Sequence, residues 1–181
     1  PLLSISGVTK AFSIRSAGLL SRNQDMVRAV NEVSFKIEAG TCLGLVGESG
    51  CGKTTLSKII MKALSPDKGQ ITYDDEDGTV DILKLKGQEL MNFRKKIQFI
   101  FQDPFSSLNP RMTVFDIISE PLLIHKIGDQ SYRNDLVKDL IQLVGLDIRH
   151  LSRFPHSFSG GQRQRIGIAR ALALRPRLLI C

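Results

Sequence analysis

Alternating and apolar stretches divide the first half of this chain into candidate strands. Leu2–Val8 and Val33–Ile37 partly alternate between apolar and polar residues, which predicts two half-buried strands. The polar stretch Ser13–Met26 between them predicts a long loop. Thr41–Val46 and Ile97–Phe101 are short and nearly all apolar, which is typical of buried strands in a parallel sheet.

Helical spacing of apolar residues first occurs in Lys53–Leu64, which predicts a helix that ends at the turn Ser65–Gly69. Its apolar face is Leu56, Ile59, Ile60 and Ala63. Strands and helices follow one another along the chain, so the pattern predicts an α/β fold with a helical insertion between the second buried strand and the last helix. The further helices are expected at Val114–Leu123, Tyr132–Val144 and Gln162–Leu174, and the further strands at Gln70–Tyr73, Val80–Leu85 and Arg177–Cys181.

Composition adds limits to this picture. The 181 residues suit one domain, and no apolar run is long enough to span a bilayer. The net charge is +7, but the basic residues are dispersed and the acidic cluster Asp74–Asp77 interrupts them, which favours a solvated basic surface over a nucleic-acid footprint. Cys42, Cys51 and Cys181 are odd in number without metal-ligand spacing, so we expect reduced thiols.

The sequence GESGCGKT, from Gly47 to Thr54, fits the pattern G-x-x-x-x-G-K-S/T between a predicted strand and a predicted helix. Its glycines free the backbone to direct N–H groups at phosphate oxygens, and the helix N-terminus adds its positive dipole end. Lys53 can reach the β- and γ-phosphates, and the Thr54 hydroxyl suits Mg²⁺. The alternative is an ordinary glycine-rich turn, but the pattern predicts a nucleoside triphosphate site.

Two later motifs carry weaker signals when each is taken alone. Gln102 follows a predicted buried strand, where its amide could serve Mg²⁺ and an attacking water, although a surface or capping glutamine is the ordinary interpretation. Ser159–Gln162, SGGQ, could bind an anion at a helix start or simply cap that helix.

Taken together, these residues resemble the ATP-binding cassette (ABC) family. GESGCGKT resembles its Walker A motif, Gln102 its Q-loop glutamine and SFSGGQ its signature, in the family's order and at fitting separations. The resemblance implies a P-loop NTPase core with a parallel sheet, an N-terminal antiparallel β subdomain and an inserted α-helical subdomain at 103–158, within one nucleotide-binding domain over 1–181. The residues it assigns to ATP are Phe12, Gly47, Glu48, Ser49, Gly50, Cys51, Gly52, Lys53, Thr54, Thr55, Ser159, Gly160, Gly161 and Gln162.

The resemblance also implies roles and partners. Lys53 and Gln102 are the expected catalytic residues, Thr54 and Gln102 the expected Mg²⁺ ligands, and Phe12 the ring that stacks on adenine unless it belongs to the strand core. A second ABC ATPase subunit would complete each ATP site, and Phe105–Met112 would touch an integral membrane permease. FQDPFSSLNPRM and PHSFSGGQRQRIGIARAL resemble oligopeptide, dipeptide and nickel importers. This implies an ATPase at the cytoplasmic face of the inner or plasma membrane, with no nucleic-acid partner.

The departures from the family pattern are also specific. Phe158 replaces the usual leucine and Ser157 a frequent glutamate, while RPRLLIC resembles the strand that leads into Walker B. The Walker B aspartate, the catalytic glutamate and the switch histidine would follow Cys181, so we expect an incomplete domain that is inactive alone. His125, His150 and His156 precede that region and are not assigned the switch role. The alternatives are a soluble ABC-type ATPase acting on nucleic acid or ribosomes, and a non-catalytic binding module.

Overall fold

The computed structural model describes residues 1–15, 24–75, 78–103, 105 and 107–181. The described chain forms two compact units, Pro1–Leu90 and Met91–Cys181. No helix among the described residues combines the length and the apolar content needed to cross a membrane.

The first unit contains a four-stranded antiparallel sheet in the order β2-β1-β3-β4. Leu3, Ile5 and Val8 of the first strand and Ile71 of the third are fully or almost fully buried, as the partial alternation predicted. The strands are β1 (Leu3–Arg15), β2 (Gln24–Ile37), β3 (Lys68–Asp75) and β4 (Gly78–Asp81).

The first two strands are longer than the apolar pattern predicted. Residues 13–15 and 24–26 of the predicted loop are strand, and they pair in the antiparallel β1–β2 ladder; the rest of that loop lies outside the described residues. An antiparallel ladder satisfies the backbone whatever the side chains, so polar residues can extend it where one side faces water.

The predicted buried strand Thr41–Val46 is wrong. These residues form no regular structure and are all exposed; Val46 is 94% exposed. An apolar run is necessary for a buried parallel strand, but a strand also needs hydrogen-bonded neighbours. Among the described residues the parallel pairing is confined to two other segments.

The helix α1 (Lys53–Ile60) follows the phosphate-loop motif and buries Leu56, Ile59 and Ile60, as predicted. It ends earlier than the pattern indicated, because Lys62 has a φ of 51° and so leaves the helical conformation, and Ala63 is exposed. The Lys62 ammonium then donates hydrogen bonds to the carbonyls of Leu83 and Leu85. The strand expected over Val80–Leu85 ends at Asp81, and residues 82–84 form a turn after β4.

In the second unit, the described residues form a two-stranded parallel sheet and, besides shorter helical segments, three α-helices of 11 to 14 residues. Ile97 pairs with Leu178 and Phe99 with Ile180, so the strand predicted at Ile97–Phe101 forms over three residues, of which Ile97 is buried and the other two are half-buried. The elements are β5 (Ile97–Phe99), α3 (Val114–Ile124), α4 (Gln130–Leu143), α5 (Gly160–Leu172) and β6 (Leu178–Ile180).

The helix α2 (Gly87–Lys96) was not predicted from the pattern. It buries only Phe93 and is otherwise polar, so it lacks the apolar stripe by which helices are recognised. The three later helices have that stripe, and their residues Ile118, Leu122, Ile141 and Ile166 are fully buried in one core.

Candidate functional site

In the first unit, two glycines of the phosphate-loop motif, Gly47–Thr54, have a backbone conformation that other residues avoid. Gly50 and Gly52 have φ angles of 83° and 100°. A Cβ on Gly52 would lie 1.9 Å from the Ala29 carbonyl oxygen of β2, so this position excludes any side chain. Gly52 caps α1 without a side-chain hydrogen bond, and Lys53 is the first helical residue.

The Lys53 side chain folds back across the loop that precedes it. Its ammonium donates to the carbonyl oxygens of Gly47 at 2.7 Å and Glu48 at 2.6 Å, and lies 3.5 Å from the Cys51 sulfur. The ammonium is thus held at the loop by neutral acceptors. A phosphate oxygen would accept a charge-assisted and stronger hydrogen bond from the same group.

The start of α1 suits an anion. The first helical hydrogen bond runs from the Leu56 N–H to the Gly52 carbonyl, so the amides of Lys53, Thr54 and Thr55 precede the regular ladder. The first turn carries no acidic residue, and Thr54 is exposed. Glu48, Ser49 and Cys51 of the loop are exposed as well. These residues fit the phosphate-binding role that the sequence assigned to them.

Phe12 lies on β1 of the same unit, opposite Val27 of β2. Its ring is 41% exposed, so the alternative of a strand-core position does not hold. The Lys10 ammonium lies 5.7 Å from the ring centroid, and this lysine is held by Asp67 at 2.7 Å.

In the second unit, Gln102 lies three residues beyond β5 and is exposed. The Ile100 N–H donates to the Ile180 carbonyl at 2.8 Å, so the parallel pairing continues to the carboxyl end of both strands. Gln102 and Cys181 therefore follow neighbouring strands at the edge where ligands collect in α/β sheets.

The signature turn Ser159–Gln162 forms the start of α5. Ser159 Oγ accepts from the Gln162 N–H at 3.3 Å, and Gln162 Oε1 accepts from the Ser159 N–H at 3.0 Å, which is a capping box. The next helical bond joins the Arg163 N–H to the Ser159 carbonyl, so the amides of Gly160 and Gly161 precede the ladder. A Cβ on Gly161 would meet nothing within 4 Å, so this turn is open on that side. The cap and the anion-binding interpretations are therefore compatible.

An open depression of about 730 Å³ lies beside this turn. The sequence assigned Ser159, Gly161 and Gln162 of its lining to ATP, but not the other five residues, which are Gly145, Leu146, Asp147, His150 and Arg165. Hydrogen bonds from the Arg149 guanidinium and backbone N–H hold the pKa of the Asp147 carboxyl well below its usual range. Arg165 is three residues past Gln162, within the first turns of α5, and that position is the signal that could have found it.

The three histidines lie outside the phosphate loop and the signature turn. Burial, with a smaller contribution from the charge of Lys95, lowers the pKa of His125. His150 presents its ring edge-on to Phe158, and His156 stacks on Phe154. The three cysteines are free and exposed. Among the described residues, no three His, Cys, Asp or Glu side chains form a metal-binding group.

Comparison with known proteins adds an independent finding. The family profile described as ABC transporter matches residues 30–181. The oligopeptide transport ATP-binding protein OppF of Streptococcus mutans is 55% identical over 157 residues, which are 86% of this chain and 50% of that protein. AppF of Bacillus subtilis, also an oligopeptide transport ATP-binding protein, is 47% identical over 99% of this chain and 53% of its own length. The glutathione import ATP-binding protein GsiA of Pectobacterium atrosepticum is 47% identical over 99% of this chain and 28% of that protein.

Solved structures agree with these sequence relatives. The ATP-binding cassette MJ0796, in a dimeric post-hydrolysis state bound to ADP and Pi, matches with a TM-score of 0.82 and 28% identity, over 98% of this chain and 72% of that one. The chain spans about half the length of the two oligopeptide-transport relatives. Since the profile match takes in both the phosphate loop and the signature turn, this chain belongs to the ABC transporter family.

Proposed function

We propose that this chain is the ATP-binding and ATP-hydrolysing part of an ABC importer subunit that powers uptake of peptides, or of nickel or related small solutes. The observation that carries the proposal is that α1 and α5 each begin at a glycine-containing turn whose first amides precede the helical ladder, in a chain whose relatives are named for oligopeptide transport and glutathione import. The domain would extend over 1–181, with 103–158 as its helical subdomain.

The phosphate loop, Gly47–Thr55, would hold the triphosphate. Gly52 permits the backbone to turn into α1, the amides of Lys53–Thr55 point along the helix start, and Lys53 exchanges its carbonyl partners for phosphate oxygens. Phe12, exposed on β1, offers its ring face to adenine. Each of these groups binds or orients the nucleotide.

Mg²⁺, when bound with the nucleotide, would neutralise charge that develops on the phosphates. The Thr54 hydroxyl is a proposed ligand, and the Gln102 amide is proposed to serve the metal and to orient the attacking water. Both side chains are exposed and their oxygens are the hard donors that Mg²⁺ prefers.

The signature turn would bind the γ-phosphate of ATP held by a second ATPase subunit. The amides of Gly160 and Gly161, which precede the helical ladder, and the Ser159 hydroxyl are its proposed donors, and the dimeric state of MJ0796 supports pairing between cassettes. An integral membrane permease would be the further partner, with the subunit peripheral on the cytoplasmic face. The relatives reported above are named for transport or import, which favours an importer subunit over a soluble ATPase acting on nucleic acid or ribosomes.

Equilibrium MgATP binding and steady-state hydrolysis by the complete natural chain test this function. Lys53→Ala removes the ammonium and is expected to reduce binding at least about tenfold, the scale of one lost charge-assisted contact. Lys58→Ala is the matched control, because Lys58 is an exposed lysine in the last turn of α1. Equal binding by the wild-type chain and Lys53→Ala would overturn the proposal.

A further inference from the structure

The signature turn is in contact with the segment that follows Gln102. Phe105 belongs to that segment, and its ring lies under the guanidinium of Arg163, with 4.4 Å between the guanidinium carbon and the ring centroid. A Cβ on Gly160 would lie 3.6 and 3.8 Å from the edge of the same ring. Phe105 therefore lies beside the first glycine of the signature turn and contacts Arg163 in the first turn of α5.

Arg163 is fixed from the other side by the signature residues. The side-chain Nε of Arg163 donates to the Phe158 carbonyl at 3.0 Å. The backbone N–H of Arg163 donates to the Ser159 carbonyl at 2.9 Å. A guanidinium with one N–H committed has little freedom to leave the ring. The guanidinium plane of Arg163 over the Phe105 ring is thus held by its hydrogen bond to the backbone carbonyl of Phe158, just before α5.

A second arginine of α5 binds the same segment. Arg170 donates to the Ser107 carbonyl at 2.8 Å, and burial lowers its pKa, an effect that Glu120 partly opposes. Arg163 and Arg170 are seven residues apart, so they lie on one face of the helix. That face therefore contacts the segment after Gln102 at Phe105 and again at Ser107.

Phe105 nevertheless remains 61% exposed. One part of the Phe105 ring is covered by α5, and the rest of the ring is open to a partner. A group that displaces Phe105 must either break its stack with Arg163 or move Arg163 and the backbone to which it is bonded.

We propose that the Phe105–Arg163 stack is a positioning contact. Through it, a displacement of Phe105, three residues after Gln102, is transmitted to the signature turn Ser159–Gln162. The inference rests on the proposed function, in which this turn closes on ATP. Neither residue touches nucleotide. The stack sets where the signature amides lie, so its loss lowers turnover in the closed state and leaves nucleotide binding at the phosphate loop intact.

The test uses the complete natural chain assembled with its transporter. Phe105→Leu keeps an apolar side chain and removes the ring face; Phe105→Tyr keeps the face. Arg163→Met keeps the stem and removes the guanidinium. Phe154→Leu is the matched control, because Phe154 is another exposed aromatic of this unit that stacks on His156 rather than on an arginine of α5.

Phe105→Leu and Arg163→Met are each expected to lower kcat about two- to fivefold, the range of an exposed cation–π contact, with unchanged equilibrium MgATP affinity. The double variant should be no slower than the slower single variant, Phe105→Tyr should retain wild-type kcat, and Phe154→Leu should combine additively with Arg163→Met.

Additive losses in the Phe105–Arg163 double variant, or equal losses in Phe105→Leu and Phe105→Tyr, would overturn the positioning role. So would a loss of MgATP affinity with unchanged kcat. A wild-type chain that neither binds nor hydrolyses MgATP would instead overturn the proposed function, so the two failures are distinguishable. Thermal unfolding of each variant establishes that the comparison is made between folded proteins.

Discussion

At the scale of single residues, backbone conformation decides which glycines can be replaced. Gly52 has a φ of 100° and its missing Cβ would overlap the Ala29 carbonyl, whereas Gly167, inside α5, has nothing within 4 Å of its missing Cβ beyond its own helix. The conformation of the phosphate loop therefore requires a glycine at position 52, whereas α5 does not require one at position 167.

We expect Gly52→Ala to lower the free energy of unfolding by about 1–3 kcal/mol and to abolish MgATP binding, because strain and overlap displace the loop. Gly167→Ala is the control and should raise stability by about 0.5–1 kcal/mol, the helix-propensity difference between the two residues. Urea unfolding and equilibrium binding measure both effects. A Gly52→Ala protein with wild-type stability and binding would show that the loop tolerates a side chain.

At the scale of elements, two helices begin with the same device. Thr113 caps α3 in a capping box with Asp116, and Ser159 caps α5 in a capping box with Gln162. Only the second is part of the signature turn. The two caps therefore separate the structural role of a capping side chain from the functional role proposed for Ser159.

Thr113→Ala and Ser159→Ala should each cost about 1 kcal/mol of stability, since each leaves one helix-terminal N–H without its acceptor. Only Ser159→Ala should also lower ATP hydrolysis in the assembled transporter. Chemical unfolding and steady-state hydrolysis of the two variants give the comparison. Equal loss of hydrolysis in both would assign the effect to helix stability alone.

Asp67 joins β1 to the turn that follows α1. Its carboxylate accepts from Lys10 Nζ and from the Ala11 N–H, each at 2.7 Å, and these bonds lower its pKa below the ordinary 3.8. A carboxyl whose pKa is lower in the folded state than in the unfolded state stabilises the folded protein at pH values above the unfolded-state pKa. This stabilisation is lost as the pH falls through the folded-state pKa. Asp67→Asn should therefore be less stable than wild type at pH 7, and the difference should shrink below about pH 4. Urea midpoints measured from pH 7 to pH 2.5 check this; a difference that grows on acidification would contradict the assignment.

At the scale of the whole molecule, the proposed ATP site combines the phosphate loop of one subunit with the signature turn of another. If the chain pairs with itself, mixing Lys53→Ala with Ser159→Arg should restore hydrolysis, although each variant alone is inactive. Random pairing gives half mixed dimers with one intact site of two, hence about a quarter of wild-type activity. The test measures ATP hydrolysis after subunits of the two variants have exchanged without being unfolded. The controls are the two variants taken through the same exchange separately. No recovery in the mixture would indicate that each site is completed within one chain or by a different partner.

The sequence determined the local chemistry of this protein. The spacing of Gly47, Gly52 and Lys53, the position of Gln102 after an apolar run and the cap at Ser159 could all be predicted, because they depend on residues close together in the chain. The helices α3, α4 and α5 were predictable for the same reason, since each carries its own apolar stripe.

Only the tertiary structure decided what depends on distant neighbours. Thr41–Val46 has the composition of a buried strand, but strand formation requires partners, and the described structure leaves it exposed and irregular. The helix α2 lacks an apolar stripe and forms nonetheless. The stack of Phe105 on Arg163 joins residues 58 positions apart, and no periodicity in either segment indicates it. Short-range propensity is written in the sequence, whereas pairing and contact between remote segments are settled only when the chain folds.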